Sequence, residues 1–197
     1  MFNDVLSSRF YAYSVTLTRY IGLVLLFLLF SLPLITFGAS LTALIAAIRQ
    51  SDYPAFQIFW KTFKENILRG LVVQIFSVFS IMFLYQLWQI ADGVPMGGLL
   101  LLLLGIILIV YNLNAYLFVS ILKKCNITFF RQVFFFTIGT LYKTFLIPII
   151  AFALTFLFSI IHGWGLIILG IPIILGIYVR FVKNDIETAL EAVEEVK

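Results

Sequence analysis

Apolar residues in this chain come in long blocks separated by short polar breaks, with little of the alternation or helical striping that marks a half-buried element. The stretch 99–111 carries no polar side chain before Tyr111, and the apolar run continues to Leu122 past two asparagines. A helix needs about 20 apolar residues to cross a bilayer. Five blocks meet or approach that length, at 21–48, 67–90, 98–122, 141–161 and 166–182. The pattern predicts an all-α, polytopic transmembrane bundle with about five spans, forming one domain over 1–182.

The breaks predict further elements. In 1–20, Phe2, Val5, Leu6, Phe10, Tyr13 and Leu17 recur at helical spacing, as in a helix lying in the membrane interface. The first block is too long for one crossing, since 28 residues at 1.5 Å each extend about 42 Å against a core of roughly 30 Å. Pro33 removes a backbone donor and disfavours helix at Leu32, so a kink or break is expected between Pro33 and Gly38. Aromatic and basic residues precede the second and fourth blocks. Phe59-Trp60-Lys61 with Lys64, and Phe129-Phe130-Arg131 with Lys143 beyond, predict two amphipathic elbows that lie at the interface and turn into the spans. The acidic tail 183–197 places Ile186, Leu190 and Val193 at helical spacing and predicts a short helix outside the bilayer. A weak repeat at an offset of 70 sets Phe59-Trp60-Lys61 on Phe129-Phe130-Arg131 and Asp92-Gly93 on His162-Gly163.

Composition agrees with the blocks. Of 197 residues, 63% are hydrophobic and 11% charged, and the mean hydropathy is +1.13. Soluble domains are about one quarter charged. The net charge of +4 is no nucleic-acid footprint, because the cations sit in short clusters between apolar blocks, where they set orientation. With five spans, eleven of the thirteen lysines and arginines share the side of the elbows and C-terminus, and only Arg9 and Arg19 oppose them. That bias predicts a cytoplasmic C-terminus and an external N-terminus. A re-entrant first block would instead put both termini inside. The 1–20 stretch lacks the basic start and short apolar core of a cleavable signal peptide.

The quoted run Leu32-Pro33-Leu34-Ile35-Thr36-Phe37-Gly38-Ala39-Ser40-Leu41-Thr42-Ala43-Leu44, followed by Phe59-Trp60-Lys61-Thr62-Phe63-Lys64-Glu65-Asn66, resembles the YesL-like family of bacterial membrane proteins. The resemblance implies about 200 residues with five spans and covers the second half only in outline. It also implies a setting beside oligosaccharide ABC importers in Gram-positive bacteria. The family has no established activity, so the resemblance supplies no catalytic residues.

Candidate chemistry is sparse. Asn112 and Asn114, flanked by Tyr111 and Tyr116, are polar groups within a span, either lining a solute path or joined to neighbouring helices. Gln74 and Ser77 are open to the same two readings. The Pro33–Gly38 break is either a packed kink or an unwound solute site. Trp60, Lys61, Lys64, Phe130, Arg131 and Lys143 are interfacial anchors or a partner's docking surface. Cys125 is the single cysteine, so no intrachain disulfide forms, and the single histidine, His162, has no ligand cluster for a metal. No phosphate-binding G-x-x-x-x-G-K loop is present and no acidic residue falls within a predicted span. Glu187-Thr188-Ala189 lacks the Glu-Ala-Ala signature of a permease's ATPase-docking loop. These observations predict no enzyme, cofactor or metal. The YesL-like resemblance implies an accessory subunit in the bacterial cell membrane beside the permease of a carbohydrate ABC importer. An independent small-solute transporter or channel, which five spans would form as a homo-oligomer, and an assembly or regulatory factor are the competing expectations.

Overall fold

The computed structural model describes residues 9–50, 54–91, 96–122, 125–160 and 164–195. They form an all-α bundle: α1 (Arg9–Ser31), a 3-10 turn (Leu34–Thr36), α2 (Phe37–Arg49), α3 (Ala55–Ala91), α4 (Gly97–Val119), α5 (Ile127–Thr144), α6 (Leu146–Ile160) and α7 (Trp164–Glu195). Among the described residues three helices are long and apolar enough to cross a membrane, within α1, α3 and α4. The count becomes four if α5 and α6, bent by 59° at their junction, are one broken span. The last predicted block, 166–182, is the first half of α7.

The first block does not cross as one helix. The chain reverses at Pro33, and α1 and α2 lie antiparallel: the Arg19 guanidinium, midway along α1, donates to the carbonyls of Ala47 and Gln50 at the end of α2 (3.0 Å each). At the other end, the Thr36 hydroxyl lies 2.6 Å from the Phe30 carbonyl and the rings of Phe27 and Phe37 meet edge-on at 5.7 Å. The physical reason is the proline, which cannot continue the hydrogen-bond ladder and holds Leu32 out of the helical region. The hairpin also corrects the interfacial lead-in. Residues 9–20 run straight into the apolar stretch as one helix, while 1–8 lie outside the described residues.

The core sits on α2. Nine of its thirteen residues are buried, from Gly38 to Ala47, and six of those nine are Gly, Ala or Ser. Small side chains let neighbouring backbones approach. The closest approach is to α3, where a Cβ on Gly38 would lie 2.3 Å from the Gly70 carbonyl oxygen and one on Gly70 would lie 2.6 Å from the Ala39 nitrogen. Around α2 pack α1, α3, α4 and α7, and Leu23, Phe27, Phe59, Val73, Leu117, Tyr178 and Val182 complete the core.

Two predicted boundaries vanish into longer helices. The first elbow does not bend: 55–66 and the span after it form the single helix α3, about 55 Å long at 1.5 Å per residue. No proline falls between Ala55 and Ala91, so nothing removes a backbone donor or forces a break. Apart from Phe56, its exposed large apolar side chains run from Ile67 to Ile90, the predicted block, while Lys61, Lys64 and Glu65 are exposed before it. The acidic tail likewise continues α7 to Glu195, with Ile186 buried in the core. The second elbow is a true bend. Asn126 caps α5 by accepting from the Phe129 N–H (3.0 Å), and the axis turns between Thr144 and Leu146.

Candidate functional site

The helix break is closed by side chains. Gly38 N–H donates to Gln74 Oε1 (2.9 Å), and Gln74 Nε2 donates to the Leu34 carbonyl (2.5 Å), so one amide from α3 ties the 3-10 turn to the start of α2. Thr36 N–H bonds the Pro33 carbonyl, and the Ser40 and Thr42 hydroxyls donate to the carbonyls of Thr36 and Gly38. Each residue of the Thr36-Phe37-Gly38-Ala39-Ser40 run therefore has a packing duty: Thr36 ties the turn, Gly38 and Ala39 meet Gly70, and Ser40 is buried. At the break, the N–H groups of Thr36 and Gly38 and the carbonyls of Pro33 and Leu34 are therefore already taken. Pro33 itself is exposed and Gly38 buried.

Asn112 and Asn114 part company. On the α3 side of α4, Ser77 Oγ donates to Asn112 Oδ1 (2.5 Å) and lies 3.2 Å from the Tyr116 hydroxyl, while Asn112 Nδ2 donates to its own helix at Leu108. On the other side, the Tyr178 hydroxyl of α7 donates to Asn114 Oδ1. Asn114 Nδ2 donates to Thr137 Oγ1 of α5 (2.9 Å), and that hydroxyl passes on to the Val133 carbonyl (2.7 Å). This chain of three side chains is buried and joins three helices. Tyr111 donates to the Phe130 carbonyl (3.2 Å) and stacks obliquely on Phe76. No continuous polar path links the two asparagines among these contacts. The partners Thr137 and Tyr178 escaped the sequence reading. Thr137, Thr140 and Thr144 recur along one buried face of α5, a stripe visible in the sequence, whereas nothing distinguished Tyr178 from its apolar neighbours.

The elbow residues divide as well. Trp60 is anchored, its ring 5.3 Å from Phe30 and 6.1 Å from Phe63, with Lys64 Nζ 4.5 Å above it. Phe130 packs on Phe76 and Phe129. Lys143 Nζ is held by both carboxylate oxygens of Asp185 (2.7 and 2.9 Å), tying the end of α5 to α7. Lys61 and Arg131 are exposed. Lys61 lines a polar recess of about 500 Å3 with Gln50, Gln57, Thr62, Glu65 and Ser120, between the end of α2, the start of α3 and the end of α4. Beside it, Arg69 of α3 donates to the Leu122 carbonyl (2.8 Å) and closes the exit of α4. Burial raises the Cys125 pKa, partly offset by the Arg69 charge, so this thiol stays protonated and unreactive at neutral pH. Among the described residues no group of three His, Cys, Asp or Glu side chains is placed to hold a metal. His162, Lys123, Lys124 and the Asp92-Gly93 turn lie outside the described residues.

A family model described as a protein of unknown function, DUF624, matches residues 20–86, about a third of the chain. No curated protein and no solved structure matches. The matched stretch contains the second half of α1, the reversal, all of α2 and α3 to within one turn and a half of its end. It therefore includes the Gly38–Gly70 approach and Gln74 but not Asn114, Thr137 or Tyr178.

Proposed function

We propose that this chain is a non-enzymatic subunit of the bacterial cell membrane that works by packing against a membrane partner, the permease of a carbohydrate ABC importer. One observation carries the reading. The polar side chains singled out within the apolar helices, Gln74, Ser77, Asn112, Asn114 and Tyr116, are bonded to one another, to backbone or, for Asn114, to Thr137 and Tyr178, so they act as helix–helix ties. Chemistry or solute binding would need such groups free and convergent.

What stays open to a partner is surface. The charged start of α3 offers Lys61 and Glu65 around the polar recess. Two buried atoms without a partner among the described residues, Arg49 Nε and Asn66 Oδ1, flank it in sequence. The importer is the setting that the YesL-like resemblance supplies, and the DUF624 match over residues 20–86 is consistent with that resemblance. Orientation follows the cations. The hairpin brings Arg19 to the Arg49 end, so a residue that opposed the positive-inside bias joins it, and both the Arg9 end of α1 and the Glu195 end of α7 are assigned to the cytoplasm.

The test is purification of the tagged chain from its native membrane in mild detergent. Permease subunits are expected to co-purify, and Lys61→Glu with Glu65→Lys is expected to reduce their recovery without lowering the yield of the chain. Recovery of the chain alone, with sugar uptake unchanged on its deletion, overturns the proposal. Solute flux in liposomes holding the pure chain would favour the transporter instead.

A further inference from the structure

An apolar groove of about 370 Å3 runs between α3, α4 and α5, with Ile107 and Leu108 on one wall and Phe134, Ile138 and Leu141 on the other. Two polar side chains line it, and both are spent. The Tyr111 hydroxyl donates to the Phe130 carbonyl, and the Thr137 hydroxyl donates to the Val133 carbonyl while accepting from Asn114. Whatever fills the groove meets hydrocarbon and no hydrogen-bonding demand.

A flexible hydrocarbon chain is narrow enough to lie along such an open apolar groove.

Charge narrows the choice further. Arg131 precedes Phe134 by one turn on the stripe Arg131, Phe134, Ile138, Leu141, and so stands at the end of the groove where Tyr111 meets Phe130. It is exposed and makes no hydrogen bond or ion pair with the described residues, whereas Lys143, the other cation of α5, is occupied by Asp185. A guanidinium presents a planar fork suited to two phosphate oxygens.

We propose that this groove, with Arg131 at its end, binds an anionic glycerophospholipid, one acyl chain lying between Ile107 and Ile138 and the headgroup phosphate resting on the Arg131 guanidinium. The site is independent of the importer reading, because it requires only a bilayer.

The test titrates delipidated full-length chain in detergent with phosphatidylglycerol or phosphatidylcholine of matched acyl chains, and counts bound lipid by native mass spectrometry. The wild-type chain is expected to bind phosphatidylglycerol about fivefold more tightly, the factor one cation near a membrane surface contributes. Arg131→Gln should erase that preference and leave phosphatidylcholine binding unchanged, and Arg131→Lys should restore most of it. Ile138→Trp and, from the opposite wall, Ile107→Trp should each weaken binding of both lipids. Inorganic phosphate at millimolar concentration should not compete. Equal affinity of the wild-type chain for the two lipids, a preference that survives Arg131→Gln, full binding by both tryptophan variants, or a protein crosslinked to position 138 in native membranes would each overturn the site.

Discussion

The two arms that begin with an aromatic–basic cluster, Ala55–Ala91 and Ile127–Ile160, bury the same register and differ in shape. Phe59, Phe63 and Gly70 are buried in the first, and Phe129, Val133 and Thr140, each 70 residues on, in the second. The first arm is one unbroken helix, whereas the second bends by 59°. Pro148 accounts for the place of the bend. A proline has no N–H for the carbonyl four residues earlier and clashes with it, and here that residue is Thr144, where α5 ends. Position 78 of the first arm is a valine, and the helix continues. Pro172 interrupts α7 without ending it, so proline alone does not dictate a bend. At Thr144 the Lys143–Asp185 pair also holds the end of α5 against α7. The comparison teaches that a shared buried face is compatible with two backbone paths: the arm without proline runs straight with Gly70 against α2, and the arm with Pro148 bends where Lys143 meets Asp185.

That contrast can be broken by substitution, starting with the contact of least tolerance. Gly70→Ala and Gly38→Ala each drive a methyl into backbone, and both are expected to destabilise by about 3 kcal/mol or more, seen as loss of monodisperse protein in detergent. Gly139→Ala in the second arm meets nothing within 4 Å and is expected to be neutral, or stabilising by up to about 1 kcal/mol from helix propensity. Equal effects in the two arms would remove the distinction.

Gln74→Leu comes next. It leaves the Gly38 N–H and the Leu34 carbonyl without their partner, at an expected cost of about 2 kcal/mol in thermal unfolding. Asn114→Leu uncouples Tyr178 from Thr137 and is expected to cost about 1 kcal/mol, near the average for interhelical hydrogen bonds in membranes, with Tyr178→Phe costing less. Lys143→Met is smallest. The pair is about 30% exposed, so its loss is expected to lower the unfolding midpoint only slightly at low salt and less at high salt, and the bend is expected to survive because Pro148 remains.

Much of this was legible in the sequence. Block lengths and composition gave the all-α membrane bundle, because hydrocarbon-facing helices declare themselves by continuous apolarity. Pro33 marked the place of the break. It could not say whether the chain bends or reverses, since that is decided by Arg19 reaching the end of α2 and by two glycines 32 residues apart meeting in space. The asparagines stood out as polar residues within a span, and Ser77, Asn112 and Tyr116 fall at spacings that let two helices meet. The partners of Asn114 did not stand out, because Tyr178 is an ordinary member of an apolar run until α7 is laid beside α4. Elbow shape was the least legible feature, since straight and bent arms begin with the same aromatic–basic pattern.

The reversal at Pro33 is the claim on which topology and function both depend, and cysteine accessibility tests it directly. In a Cys125→Ser background, Ser14→Cys, Gln57→Cys and Gln89→Cys are labelled with a membrane-impermeant maleimide in intact cells and in inverted vesicles. Positions 14 and 57 are predicted to react from the same face, and position 89 from the opposite one. Labelling of position 14 from the face that labels position 89 would contradict the hairpin.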